Sequence, residues 1–245
     1  MRPPNPPKTP NPLKTANAAK EWRQRFADLP VRIDQREITV DGRSQTYGTL
    51  IPKAAPAEAG YPMIVGLHYA SPTPGLSPYF GLGYVGQIVL PALQDLNAIL
   101  VAPDCPDASW TSTISERLVT AVVAEVRKEN KIDARRTLIT GFSMGGIGAW
   151  YFAERHPGLF GGAIPIAARP PEPDAKPAIP VYVIHSRKDT SQPFDATERV
   201  VRAMEQRGLN VTLVALDEVA HSELTGYIEP LNAAIPWIKK VWSVG

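Results

Sequence analysis

The chain has 245 residues, is 44% hydrophobic and 20% charged, and carries a formal net charge of +2. This is the profile of a folded protein with a full core, without the basic field that nucleic acid or an anionic membrane would demand. The single cysteine, Cys105, excludes an intrachain disulfide, and the four scattered histidines (His68, His156, His185 and His221) lack metal-binding spacing.

Proline is the outlier, with 26 residues, six of them among the first twelve. Met1 to Pro12 can neither propagate a helix nor pair as a strand. Residues 1–16 are therefore expected as an extended tail, and residues 17–245 as one domain. The tail has no apolar centre of the kind an export signal carries. That predicts a soluble cytoplasmic protein, or an exported one whose signal has been removed. No apolar run reaches the roughly 20 residues of a membrane span.

Asn17 to Leu29, with Ala, Trp and Phe among charges, predicts a short helix. Val31 to Val40 and Gln45 to Ile51 flank Asp41-Gly42, the signature of an antiparallel hairpin. Six short apolar runs then follow: Met63 to Leu67, Ile99 to Ala102, Thr137 to Thr140, Gly162 to Ile166, Val181 to Ile184 and Val211 to Leu216. Continuous apolar runs of this length read as strands buried on both faces. Helical spacing lies between or after them, over Ser115–Asn130, Met144–His156, Phe194–Arg207 and Leu231–Trp242. The alternation predicts an α/β fold: a mostly parallel sheet with helices on both faces and an antiparallel hairpin at its start. Such sheets carry their functional residues on loops beyond the C-terminal strand ends.

Three residues fall at such places. Gly141-Phe142-Ser143-Met144-Gly145 joins a strand to a helix, the context of a nucleophile elbow. Asp189 follows the strand Val181 to Ile184, and His221 follows Val211 to Leu216. A serine nucleophile needs a base, and the base needs an orienting acid; the order Ser143, Asp189, His221 supplies them. Asp195 competes with Asp189 for the acid role, although it lies in the first turn of a helix, where acids suit the dipole. Asp217 and Glu218 are too near His221 in sequence to approach it from the far side. His185 reads as a packed histidine and His156 as a helix-end cap. Two backbone donors should hold an oxyanion: the Met144 N–H, and one from His68-Tyr69-Ala70-Ser71, with Tyr69 first and Ala70 next. His68 reads as a brace for that loop.

At these residues the chain resembles the α/β-hydrolase superfamily. It is most similar to small bacterial carboxylesterases grouped with phospholipase/carboxylesterase, dienelactone hydrolase, and the polyhydroxybutyrate depolymerase and feruloyl esterase type. Ile64-Val65-Gly66-Leu67-His68, Val101-Ala102-Pro103-Asp104-Cys105 with Trp110, Thr140 to Gly146, and His156 to Ala163 carry the likeness. It spans roughly residues 31 to 242 by motif order. The resemblance implies Ser143, Asp189 and His221 as a triad, with no metal or organic cofactor. The chain departs from the pattern at Tyr69, where these enzymes usually have glycine; its ring is expected to wall the site. Trp110 and Ala70 are expected to meet substrate. Tyr69, Tyr79, Phe80, Tyr84 and Trp110 either line an aromatic cleft, suited to aromatic or polymeric esters, or pack their loop against the sheet. The expected activity is hydrolysis of small or polymeric carboxylic esters through an acyl-enzyme. A peptidase of the same fold, or a silent binding protein, is the alternative.

Overall fold

The computed structural model describes residues 29–71 and 77–244. The extended tail expected for 1–16 and nearly all of the helix expected for Asn17–Leu29 lie outside the described residues.

Among the described residues, eight strands form one sheet in the order β1-β2-β4-β3-β5-β6-β7-β8. They are β1 (Val31–Val40), β2 (Arg43–Pro52), β3 (Tyr61–Leu67), β4 (Ile99–Pro103), β5 (Ile132–Phe142), β6 (Gly162–Ile166), β7 (Val181–Ser186) and β8 (Val211–Leu216). β1 and β2 pair antiparallel in unbroken register from Val31↔Pro52 to Val40↔Arg43. Asp41 and Gly42 turn the chain with φ of 50° and 74°. Two successive positive φ angles are what a two-residue hairpin needs to match strand twist, and Asp-Gly adopts them at low cost. β2 is antiparallel to β4, and all pairings from β4 to β8 are parallel.

The period of two along each strand divides the core. Met63, Val65 and Leu67 of β3, with Ile139 of β5, face one cluster; Ile64 and Leu138 face the other. The first face is covered by helices α2 (Thr113–Glu129), α3 (Met144–Arg155) and α4 (Phe194–Gln206). α2 buries Leu118, Val119, Val122, Val123 and Val126 almost completely, a gross transfer gain on the order of 10 kcal/mol. It begins ahead of the expected Ser115 because the Ser112 side chain accepts from the Ser115 N–H at 3.3 Å and caps it.

The second face is covered by a helical run over 80–96, α1, and by α5 (Ile228–Asn232) and α6 (Ile235–Val244). The sequence pattern predicted no helix over 80–96 and one continuous helix over Leu231–Trp242. The latter divides at Ala233–Ala234, because Pro236 has no N–H to continue the ladder and is tolerated only in a first helical turn. α1 starts without a side-chain cap of its own. Its cap comes from Asp104, just past β4, whose buried carboxylate accepts from the Tyr79 N–H at 2.5 Å, the Gly81 N–H at 2.8 Å and Thr46 Oγ1 at 2.5 Å.

Burial pushes the Asp104 pKa up to about 6, against the pull of those three donors. A carboxyl that is harder to ionise folded than unfolded adds stability below its ordinary value of 3.8, and that stability is lost as pH rises through about 6. Asp104→Asn stays neutral throughout. In denaturation series from about pH 4 to pH 7, wild type should lose stability relative to this variant, by about 3 kcal/mol at most. A difference that stays flat across that range contradicts the account.

Candidate active site

The order β4-β3-β5 makes the chain leave β3 on one side and return on the other, so the sheet switches direction beside β3. The C-terminal ends of β3 and β5, which pair as Leu67↔Gly141, open at that switch. Ser143 stands immediately beyond β5, with φ 54° and ψ −114°. That conformation costs on the order of 1–3 kcal/mol for a residue with a side chain. It is held because the Ser143 N–H donates to Ile166 O at 2.9 Å and its carbonyl accepts from the Ile147 N–H at 3.0 Å. α3 starts at the next residue. A Cβ on Gly145 would lie 1.9 Å from Leu67 O and 2.9 Å from His68 O. The tip of α3 therefore rests directly on the backbone that leads to Tyr69. A Cβ on Gly141 would lie 2.2 Å from Gly145 O, so the turn itself closes only without side chains there.

Asp189 and His221 come from the loops after β7 and β8. The Asp189 carboxylate is buried. Its Oδ1 accepts from the Ser191 N–H at 2.9 Å and the Gln192 N–H at 2.7 Å, which turns Oδ2 to His221 Nδ1 at 2.7 Å. His221 Nε2 lies 3.0 Å from Ser143 Oγ. A carboxylate only accepts, so the proton on His221 belongs on Nδ1 and the Nε2 lone pair faces the serine. The ring leans on Phe142, with centroids 5.0 Å apart. Its loop is closed by Ala220 and Glu223, which exchange hydrogen bonds of 2.9 and 3.0 Å.

The rival acids stand elsewhere. Asp195 is in the first turn of α4. Asp217 pairs with Arg187 at 3.2 Å, and Glu218 with Lys188. His156 bonds Glu116 at 2.7 Å through its ring and closes α3 with its N–H. His68 is fully buried. Its Nε2 accepts from the Cys105 N–H at 2.9 Å and its Nδ1 donates to Tyr69 O at 2.7 Å. Burial lowers its pKa to about 4, which keeps the brace neutral. The Cys105 thiol is pushed up to about 11 by burial, so it stays protonated and unreactive near neutral pH.

Trp110 requires a correction. It was expected to meet substrate, but it is fully buried and its indole N–H donates to His68 O at 2.8 Å. It supports the loop from below and offers no ring face to a ligand. Tyr79 and Tyr84 are buried as well. Of the five aromatic residues considered for the cleft, only Tyr69 and Phe80 are part-exposed; Ala70 is exposed. The Tyr69 ring is set by edge contacts to Phe80 at 5.5 Å and Phe142 at 6.3 Å. The sequence reading missed Phe142 as the bed of His221. It also missed the Ser191 and Gln192 donors, which depend on the turn after β7 rather than on residue type.

A family model described as the dienelactone hydrolase family matches residues 98–234, more than half of the chain and the whole span from Ser143 to His221. The chain belongs to the dienelactone hydrolase family. In sequence, it is 29% identical over 170 residues to NocK of Nocardia uniformis subsp. tsuyamanensis, a protein named for an inferred esterase activity. That match covers 65% of this chain and 49% of NocK, so the chain spans about half the length of the curated relative it matches. A thermostable esterase of known structure superposes with a TM-score of 0.68 at 25% identity, over 86% of this chain and 63% of its own. A ferulic acid esterase superposes with a TM-score of 0.67 at 16% identity, over 86% of this chain and 98% of its own, a likeness of fold. Among the described residues of this dienelactone hydrolase family member, no helix is long and apolar enough to cross a membrane.

Proposed function

We propose that the chain is a serine esterase that hydrolyses carboxylic esters through an acyl-enzyme on Ser143. The observation that carries this reading is the run of contacts from Ser143 Oγ to His221 Nε2 at 3.0 Å and from His221 Nδ1 to Asp189 Oδ2 at 2.7 Å. His221 takes the Ser143 proton as Oγ attacks the carbonyl carbon. Asp189 holds the ring in the tautomer that can accept that proton and stabilises the imidazolium. The oxyanion is assigned to the N–H groups of Met144 and Tyr69. Met144 is the first residue of α3, so its N–H has no acceptor within the helix. Collapse of the tetrahedral intermediate expels the alcohol, which leaves with the proton from His221. Water then attacks the acyl-enzyme by the same sequence and frees Ser143.

For the substrate, the reading is a small acyl group or the end of a polymeric ester, set against Tyr69 and Phe80, the two part-exposed rings of the five considered for the cleft. The kinship with esterases supports ester over amide chemistry. The purified protein should turn over p-nitrophenyl acetate and butyrate, with feruloyl esters as the aromatic arm of the same panel and aminoacyl p-nitroanilides as the amide arm. Hydrolysis of the anilides with no ester turnover would assign a peptidase instead.

A further inference from the structure

The acid of the candidate triad touches two imidazoles, and only one has a role so far. His185, at the end of β7, is fully buried. Its Nε2 lies 2.8 Å from Gln192 O and 3.2 Å from Asp189 Oδ2, the oxygen that meets His221. A carbonyl and a carboxylate both only accept, so the proton on His185 belongs on Nε2. Its Nδ1 is buried with no hydrogen-bond partner among the described residues. A second proton there would be an unpaired buried N–H, and burial itself lowers the pKa of this ring. His185 is thus a fixed, neutral donor.

Phe194 packs edge-on at 5.8 Å, and Arg187 and Lys188 on the same loop are paired outward with Asp217 and Glu218. From the turn after β8, His221 faces Asp189 from the other side. Tyr227 is also near, its hydroxyl pushed up by burial and by the charges of Asp189 and Glu223.

We propose that His185 is a positioning residue of this site. Its Nε2–H, seated on Gln192 O, also leans on Asp189 Oδ2, fixes the carboxylate against rotation, and draws off part of the charge that Oδ2 presents to His221. The proposal rests on Ser143, His221 and Asp189 being the reacting set. With the donor removed, Oδ2 binds the His221 imidazolium more strongly, so His221 protonates at higher pH and the acid limb of activity moves up with it.

The test is ring-nitrogen NMR titration of wild type, His185→Phe, His185→Met and His185→Gln. The glutamine places an N–H near the position of the lost Nε2–H. In wild type, His185 should show a protonated Nε2 and should stay neutral at the pH at which His221 titrates. The His221 midpoint should rise by about half a pH unit in the Phe and Met variants and return close to wild type in the Gln variant. A packing role alone would lower the melting temperature and leave His221 where it was. A folded Phe or Met variant with an unmoved His221 overturns the proposal. A wild-type His185 protonated on Nδ1 also overturns it, and that observation needs no variant to fold. Failure of the esterase reading looks different: the rings titrate as described, but wild type does not hydrolyse p-nitrophenyl acetate.

Discussion

Replacing Ser143 by alanine is expected to lower kcat on short p-nitrophenyl esters by about ten-thousand-fold or more, with KM and melting temperature near wild type. Ser143 Oγ touches His221, from the loop after β8, and Ser143 is only part-buried, so its loss removes the attacking atom and little packing. The backbone geometry of the turn is set by Gly141, Gly145 and the Ile166 carbonyl, none of which depends on Oγ. The residual rate should come from the oxyanion donors and binding alone. A variant that keeps more than about a tenth of wild-type kcat would mean that Ser143 is not the nucleophile.

Gly145→Ala should do the opposite kind of damage. The added methyl meets Leu67 O at 1.9 Å, Leu67 C at 2.5 Å and His68 O at 2.9 Å, all backbone atoms. Leu67 ends a central strand paired on both sides, so it has no room to retreat. The tip of α3 must lift instead, carrying Met144 and Ser143 away from Tyr69. The expected cost is about 3 kcal/mol or more in urea denaturation, with loss of ester turnover in whatever fraction folds. Gly158→Ala is the control. Nothing lies within 4 Å of its added methyl, and the change should stay within about 0.5 kcal/mol. Equal stability of the two variants would refute the close approach of α3 to β3.

What could be read in the sequence, and what could not, follows from where each signal resides. Strands β3 to β7 were legible because a strand covered on both faces is apolar almost throughout, as Met63 to Leu67 is, and the edge strand β8 because only Thr212 interrupts its apolar run. The hairpin was legible because Asp41-Gly42 carries its turn locally. The positions of Ser143, Asp189 and His221 were legible as places in a topology, each just past a strand end. α1 was not, because Gly81, Gly83, Gly86 and Pro91 spoil its helical pattern, and because its cap, Asp104, stands more than twenty residues away. Trp110 misled because an aromatic in a loop near a site looks the same whether its ring faces the cleft or the core. Only the bond from its indole to His68 O decides that. The contact of His185 with Asp189 depends on how tightly residues 187–192 turn, and four-residue spacing in a loop does not encode that.

The central claim is that Ser143 is activated by His221, and a fluorophosphonate probe with peptide mapping tests it most directly. The reading predicts a single phosphonylated site, Ser143, in wild type, no label in Ser143→Ala, and labelling slowed by at least about a hundredfold in His221→Ala. Folded wild-type protein that hydrolyses esters yet carries no label on Ser143, or carries it at another residue, would contradict it.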